Sequence, residues 1–108
     1  MVEPVEILRY ARDVVLESED KWTRGAIARD ARRLRTDPVS PAAAAFCIRG
    51  ANRRAAADLG CTPEEESIAN CLFLDASPEG IIYFNDYIAT FPDVIDRYDL
   101  AIKKAEEA

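Results

Sequence analysis

At 108 residues, with 49% apolar and 31% charged residues, the chain has the size and composition of one soluble domain with one hydrophobic core. It has no histidine and only three scattered cysteines, Cys47, Cys61 and Cys71, which removes the usual zinc ligand set and the usual general base near neutral pH. The net charge of −6 argues against a nucleic-acid-coating protein, but the charge is segregated.

Residues 1–20 hold six acids and two bases (−4), residues 21–54 nine bases and two acids (+7), and residues 55–108 twelve acids and three bases (−9). Two readings follow. The central arginines pair with the acidic flanks on folding, which is the favoured one, or they form a basic patch for an anion while the acidic flanks face a basic partner. The longest apolar stretch, "PVSPAAAAFCI", is too short to cross a bilayer. The start, "MVEPVEIL", lacks a basic region and a cleavage motif, so a cytoplasmic protein with reduced thiols is expected.

Taken in order, the first element is a helix whose stripe runs through Val5, Leu8, Ala11 and Val15 towards Trp22. Residues 23–39 are ambiguous. Alanine and arginine favour a short helix, yet Ile27 and Leu34 stand seven apart and leave only a thin buried stripe. Four helix starts follow from hydroxyl or proline chemistry. "SPAA" (40–43), "TPEE" (62–65) and "SPEG" (77–80) put Ser or Thr at the cap and proline at the first helical position, "TPEE" adds Glu65 at the capping-box spacing from Thr62, and "TFPD" (90–93) pairs Thr90 with Asp93. Helices are therefore expected from near Pro41, Pro63, Pro78 and Pro92. The second stripe is Ala44, Cys47, Ala51, Ala55 and Leu59, closed by Gly60; the third is Ile68, Cys71, Leu72 and Asp75; the last is Val94, Ile95, Tyr98 and Ile102. No segment alternates convincingly as a strand. The expected fold is all-α, a single domain over residues 1–108 built as a compact bundle of four to five helices.

"WTRGAIARD" (22–30), "FCIRGA" (46–51) and "FND" (84–86) followed by Thr90 together resemble a family of small uncharacterised bacterial and phage proteins, a domain of unknown function. The resemblance covers about residues 5–105. It implies extended flanks and a glycine turn soon after Ala-Arg-Asp, where this chain has Ala31, Arg32 and Arg33. The resulting expectation is an irregular or extended segment near 25–37, with the short helix as its alternative. The resemblance implies no catalytic residues.

Asn85 and Asp86 follow a bulky apolar run, so they are read first as polar groups bonding free backbone at a helix end. The competing reading makes Asp86 a catalytic carboxylate and Asn85 an oxyanion donor. Trp22 with Arg24 could stack on a base, or Trp22 could plug the core with its N–H bonded locally. Cys47 is read as packing rather than as a nucleophile. Arg49 and Arg53 share a helix face and could clamp a phosphate, or could be solvated or salt-bridged there. Arg32 and Arg33 belong to the possible basic patch. These eight residues, Trp22, Arg24, Arg32, Arg33, Arg49, Arg53, Asn85 and Asp86, are candidate binding residues. No catalytic residue, metal ligand or cofactor is expected.

Three function classes remain. The first is a non-enzymatic protein-binding or adaptor module whose partner is a second copy or a host protein, with a homodimer through the small-residue face as one form. The second is a phage-derived or defence-related regulator acting through an acidic surface. The third is an enzyme using Asp86 or Asp30, the least favoured. Anion or nucleic-acid binding through residues 21–54 is a further alternative, with nucleic acid disfavoured as a partner, and no membrane association is expected.

Overall fold

The computed structural model describes residues 2–74 and 78–107. Helix α1 (Pro4–Tyr10) begins with proline in its first turn and runs directly into a π-helical turn, Ala11–Val15. Ile7, Leu8, Ala11 and Val15 are all buried, at the three- and four-residue spacing of one helical face. Trp22 is not on that stripe. A short 3-10 turn, Glu19–Lys21, intervenes, and Trp22 is extended.

The all-α expectation is corrected here. Strands β1 (Ala28–Asp30) and β2 (Ala43–Phe46) form a two-stranded antiparallel sheet, with Ala28 opposite Phe46 and an irregularity between Arg29 and Asp30. Segment 25–37 is thus extended and turning, not helical. Its turn needs no glycine. Arg33 takes the left-handed conformation at φ 69°, a cost of about 1–3 kcal/mol. The Asp30 carboxylate offsets it by accepting the N–H groups of Arg32 (2.8 Å) and Leu34 (3.0 Å).

The expected helix start at Pro41 is also corrected. Ser40 Oγ does accept an N–H, that of Ala42 at 3.1 Å, but it closes a turn. Residues 43–46 then pair with β1, and helix α2 (Ile48–Leu59) starts later, with Cys47 as its cap. Gly60 ends it at φ 71°, in the left-handed conformation that glycine adopts without Cβ strain. Ala44 is exposed, whereas Ala51 and Ala55 are fully buried within the chain's own core. The small-residue face is therefore not free to form a dimer.

Helix α3 (Pro63–Phe73) begins with the capping box read in the sequence: Thr62 Oγ1 accepts from Glu65 N–H at 3.2 Å, and Glu65 accepts from Thr62 N–H at 2.8 Å. Its buried face, however, is Ala69, Asn70 and Phe73, while Ile68 is 50% and Leu72 37% exposed and Cys71 is exposed too. The expected stripe is on the outside; its last member, Asp75, and the proposed cap Ser77 lie outside the described residues. Helix α4 (Pro78–Tyr83) passes into a second π-helical turn, Phe84–Ile88. Helix α5 (Phe91–Glu107) is opened by Thr90 and Asp93, with Thr90 N–H donating to Asp93 at 2.9 Å.

Helix α1 packs on α2, α3 and α5, and α3 packs on both α2 and α5. Phe73 and Tyr98 meet edge to face at 4.6 Å in the centre. Tyr98 O–H donates to Asn52 Oδ1 (2.6 Å), and Asn52 Nδ2 donates to Asn70 Oδ1 (2.8 Å), so one buried polar chain joins α5, α2 and α3. Burial pushes the Tyr98 phenol well above its ordinary range. Among the described residues, no helix is long and apolar enough to cross a membrane.

Candidate functional site: the Asn85 junction

The π-helical turn at 84–88 directs Asn85 inward, where it is fully buried. Its Oδ1 accepts from Trp22 Nε1–H (2.7 Å) and from the Ile48 backbone N–H (3.1 Å). Its Nδ2 donates to the Thr23 carbonyl (3.0 Å) and to Asp86 Oδ1 (2.8 Å). A primary amide has two acceptor sites and two donors, and all four are used. No donor is left over for an oxyanion. The Trp22 N–H is bonded, but to a residue far along the chain rather than locally.

Asp86 Oδ1 also accepts the Gly25 N–H at 3.1 Å. Arg24 donates to the Ala89 carbonyl, and its guanidinium lies 4.7 Å from the Trp22 ring centre. That arginine is engaged inside the chain, on the aromatic face a base would need. Residues 22–25, 47–50 and 85–86 therefore converge, and each comes from one of the three quoted segments.

Helix α2 enters the junction by its N-terminus. Ile48 N–H goes to Asn85, and the N–H groups of Arg49 and Gly50 point at Cys47 Sγ, the latter at 3.3 Å. The free donors that make a helix start an anion site are thus occupied. Burial pushes the Cys47 thiol up; the two N–H groups and Arg49 oppose this, and Asp86 adds to it. The thiol is a packing and capping group, protonated near neutral pH. Gly50 is required by close approach, because a Cβ there would stand 1.9 Å from the Ile27 carbonyl oxygen.

A small cavity of about 160 Å³ opens beside the junction, lined by Gly25, Ala26, Ile27, Cys47, Arg49, Ile82 and Asp86. Arg49 Nε is buried without a hydrogen-bond partner among the described residues. Arg53 pairs with Glu66 at 3.4 Å. Arg32 and Arg33 do not join the junction; with Arg35 they are exposed in the turn after β1. Among the described residues, no group of three His, Cys, Asp or Glu is placed to hold a metal.

Sequence reasoning missed what the junction carries on its outside. Of ten exposed large hydrophobic residues among those described, four fall within residues 82–88: Ile82 (40%), Tyr83 (58%), Tyr87 (76%) and Ile88 (59%). The Tyr83 and Tyr87 rings lie 5.3 Å apart. Of the bulky apolar run before Asn85, Ile81 is fully buried, Phe84 half-buried and Ile82 exposed. The available signal was the density of aromatic and branched residues, too many for one helical stripe to bury.

The architecture is that of a mostly helical domain with a small sheet, closed by one buried asparagine. The chain belongs to DUF6197, a family of unknown function, whose model matches residues 1–104. No curated protein and no solved structure matches it.

Proposed function

We propose that the protein is a non-enzymatic module that binds another protein through the surface of residues 82–88. The observation that carries this reading is the exposed Tyr83–Tyr87 pair, flanked by Ile82 and Ile88, where the end of α4 passes into the π-helical turn pinned from beneath by Asn85. Tyrosines supply large contact area with little rotamer entropy to lose, and they are common anchors of protein interfaces. A turn held by the four hydrogen bonds of Asn85 presents them in one arrangement, which lowers the ordering cost of binding. The bonded amide of Asn85, the raised thiol of Cys47 and the absence of histidine argue against an enzyme at the junction.

The test is capture of a partner from a lysate of the source organism, its identification, and titration with the purified partner. Tyr83→Ser and Tyr87→Ser should each weaken affinity about 30-fold if they are interface anchors worth about 2 kcal/mol. Their melting temperatures should stay unchanged, since both side chains are exposed. Unaltered affinity in both variants sinks the reading.

A second reading rests on the exposed Arg32, Arg33 and Arg35 in the turn after β1, a cationic tip suited to an anion. The rest of the basic segment supports it poorly. Arg24, Arg29 and Arg54 donate to backbone carbonyls, and Lys21, Arg53 and Arg54 pair with acids.

A further inference from the structure

A second surface, built by α3 and α5, is independent of residues 82–88. Between them runs an open groove of about 520 Å³, with Ser67, Ala101 and Ala105 among its lining. Ile68 and Leu72 of α3 and Leu100 of α5 rise beside it, exposed by 50%, 37% and 41%. Ile68 and Leu72 belong to the apolar stripe that periodicity assigns to the core, here left exposed among the described residues. The face thus carries both large apolar ridges and a channel between small residues, the two halves of a knobs-and-holes contact.

We propose that this face pairs with the same face of a second copy, α3 against α3 in antiparallel fashion, about a two-fold axis near Ile68. A two-fold interface must be complementary to itself, and the charges here are. Glu64 is exposed and lies four residues before Ile68, on the same helical stripe. Antiparallel pairing about Ile68 sets Glu64 of one copy opposite Leu72 of the other. Leu72 adjoins Phe73, whose carbonyl accepts from Arg97 Nε at 2.9 Å, so Arg97 is held at that end of the groove. Each copy therefore brings a carboxylate to the other's guanidinium, and the two contacts are equivalent by symmetry. Parallel pairing would set Glu64 against Glu64 and lose this match. Cys71, exposed and three residues past Ile68, would stand about 9 Å along the axis from its counterpart, at 1.5 Å per residue.

The test combines sedimentation equilibrium with cross-linking. The wild-type chain should sediment at twice its 12.0 kDa mass at high concentration. Ile68→Asp should return it to monomer with its helical circular dichroism intact, since Ile68 is half exposed. A short bismaleimide should join two copies through Cys71 in a Cys61→Ser background, and not after Cys71→Ser. Glu64→Lys breaks both symmetry-related contacts and should weaken the dimer roughly 2- to 30-fold, twice the free energy of one exposed ion pair, and Arg97→Glu added to it should restore the association. If Arg97→Glu costs the fold, Glu64→Lys and Ile68→Asp still decide the matter. A chain that stays monomeric throughout overturns the proposal, as does a dimer that survives Ile68→Asp. A heterologous helix seated in the groove would give a monomer alone and no Cys71 cross-link. Loss of binding in Tyr87→Ser with dimerisation intact keeps the two surfaces distinct.

Discussion

Replacing Asn85 by alanine removes four hydrogen bonds from one buried point and fills the space with nothing. Two donors lose their acceptor, Trp22 Nε1–H at 2.7 Å and Ile48 N–H at 3.1 Å, and the Thr23 carbonyl loses its donor at 3.0 Å. Asp86 is partly exposed and recovers a bond from water. Each buried group left without a partner costs about 1–3 kcal/mol. The two buried groups, Ile48 N–H and the Thr23 carbonyl, together with the half-buried Trp22 N–H and a water entering to satisfy some of them, give about 3 kcal/mol, a large share of the roughly 5–15 kcal/mol that holds a domain together. For a domain of this size that lowers the melting temperature by about 12–24 °C, at 4–8 °C per kcal/mol. Thermal and urea melts measure it. Trp22 is the only tryptophan, so its fluorescence and indole N–H resonance report on the broken bond directly. Asn85→Asp separates hydrogen bonding from shape. The carboxylate still accepts from Trp22 and Ile48, cannot donate to Thr23, and stands against Asp86. Burial and the like charge raise its pKa, so the folded state resists its ionisation and stability falls as pH rises through the ordinary carboxylate range. A melting temperature for Asn85→Ala within about 3 °C of wild type would refute the whole account of the junction.

Gly50→Ala places a Cβ against the Ile27 carbonyl oxygen, which must move; loss of folded protein in a melt is expected, and a stable variant would show the loop to be free to shift. The thiols should react with an aromatic disulfide reagent in the order Cys71, Cys61, Cys47, the last only on unfolding; equal native rates would contradict the burial. The raised Cys47 thiol ionises first in the unfolded chain, so its contribution is complete below the ordinary thiol range and is lost as pH rises towards the folded value, a fall that Cys47→Ala should remove from the stability profile. Oligonucleotide anisotropy should show binding no tighter than about 10⁻⁴ to 10⁻⁶ M at physiological salt; sub-micromolar binding weakened by Arg32→Ala plus Arg33→Ala would promote the cationic tip instead.

Features whose partners lie within a few residues follow from local chemistry alone. Thr62 with Glu65, Thr90 with Asp93 and the glycine end at Gly60 were legible, because a cap is a bond between neighbours and backbone geometry alone sets it. The face of α5 was legible for the most part: Val94, Tyr98 and Ile102 are buried, as their spacing requires, while Ile95 of the same stripe is only half-buried. Tertiary structure decided the rest. Residues 43–46 are strand because β1 offers them a ladder, although "SPAA" reads locally as a helix start. On α3 the polar Asn70 faces inward because Asn52, itself held by Tyr98, donates to it there, and Ile68 and Leu72 are left outside. The junction was beyond local reading for the same reason. Asn85 reaches Ile48 across 37 residues, Thr23 across 62 and Trp22 across 63, and a hydrogen bond carries no trace of its partner in the sequence around either end.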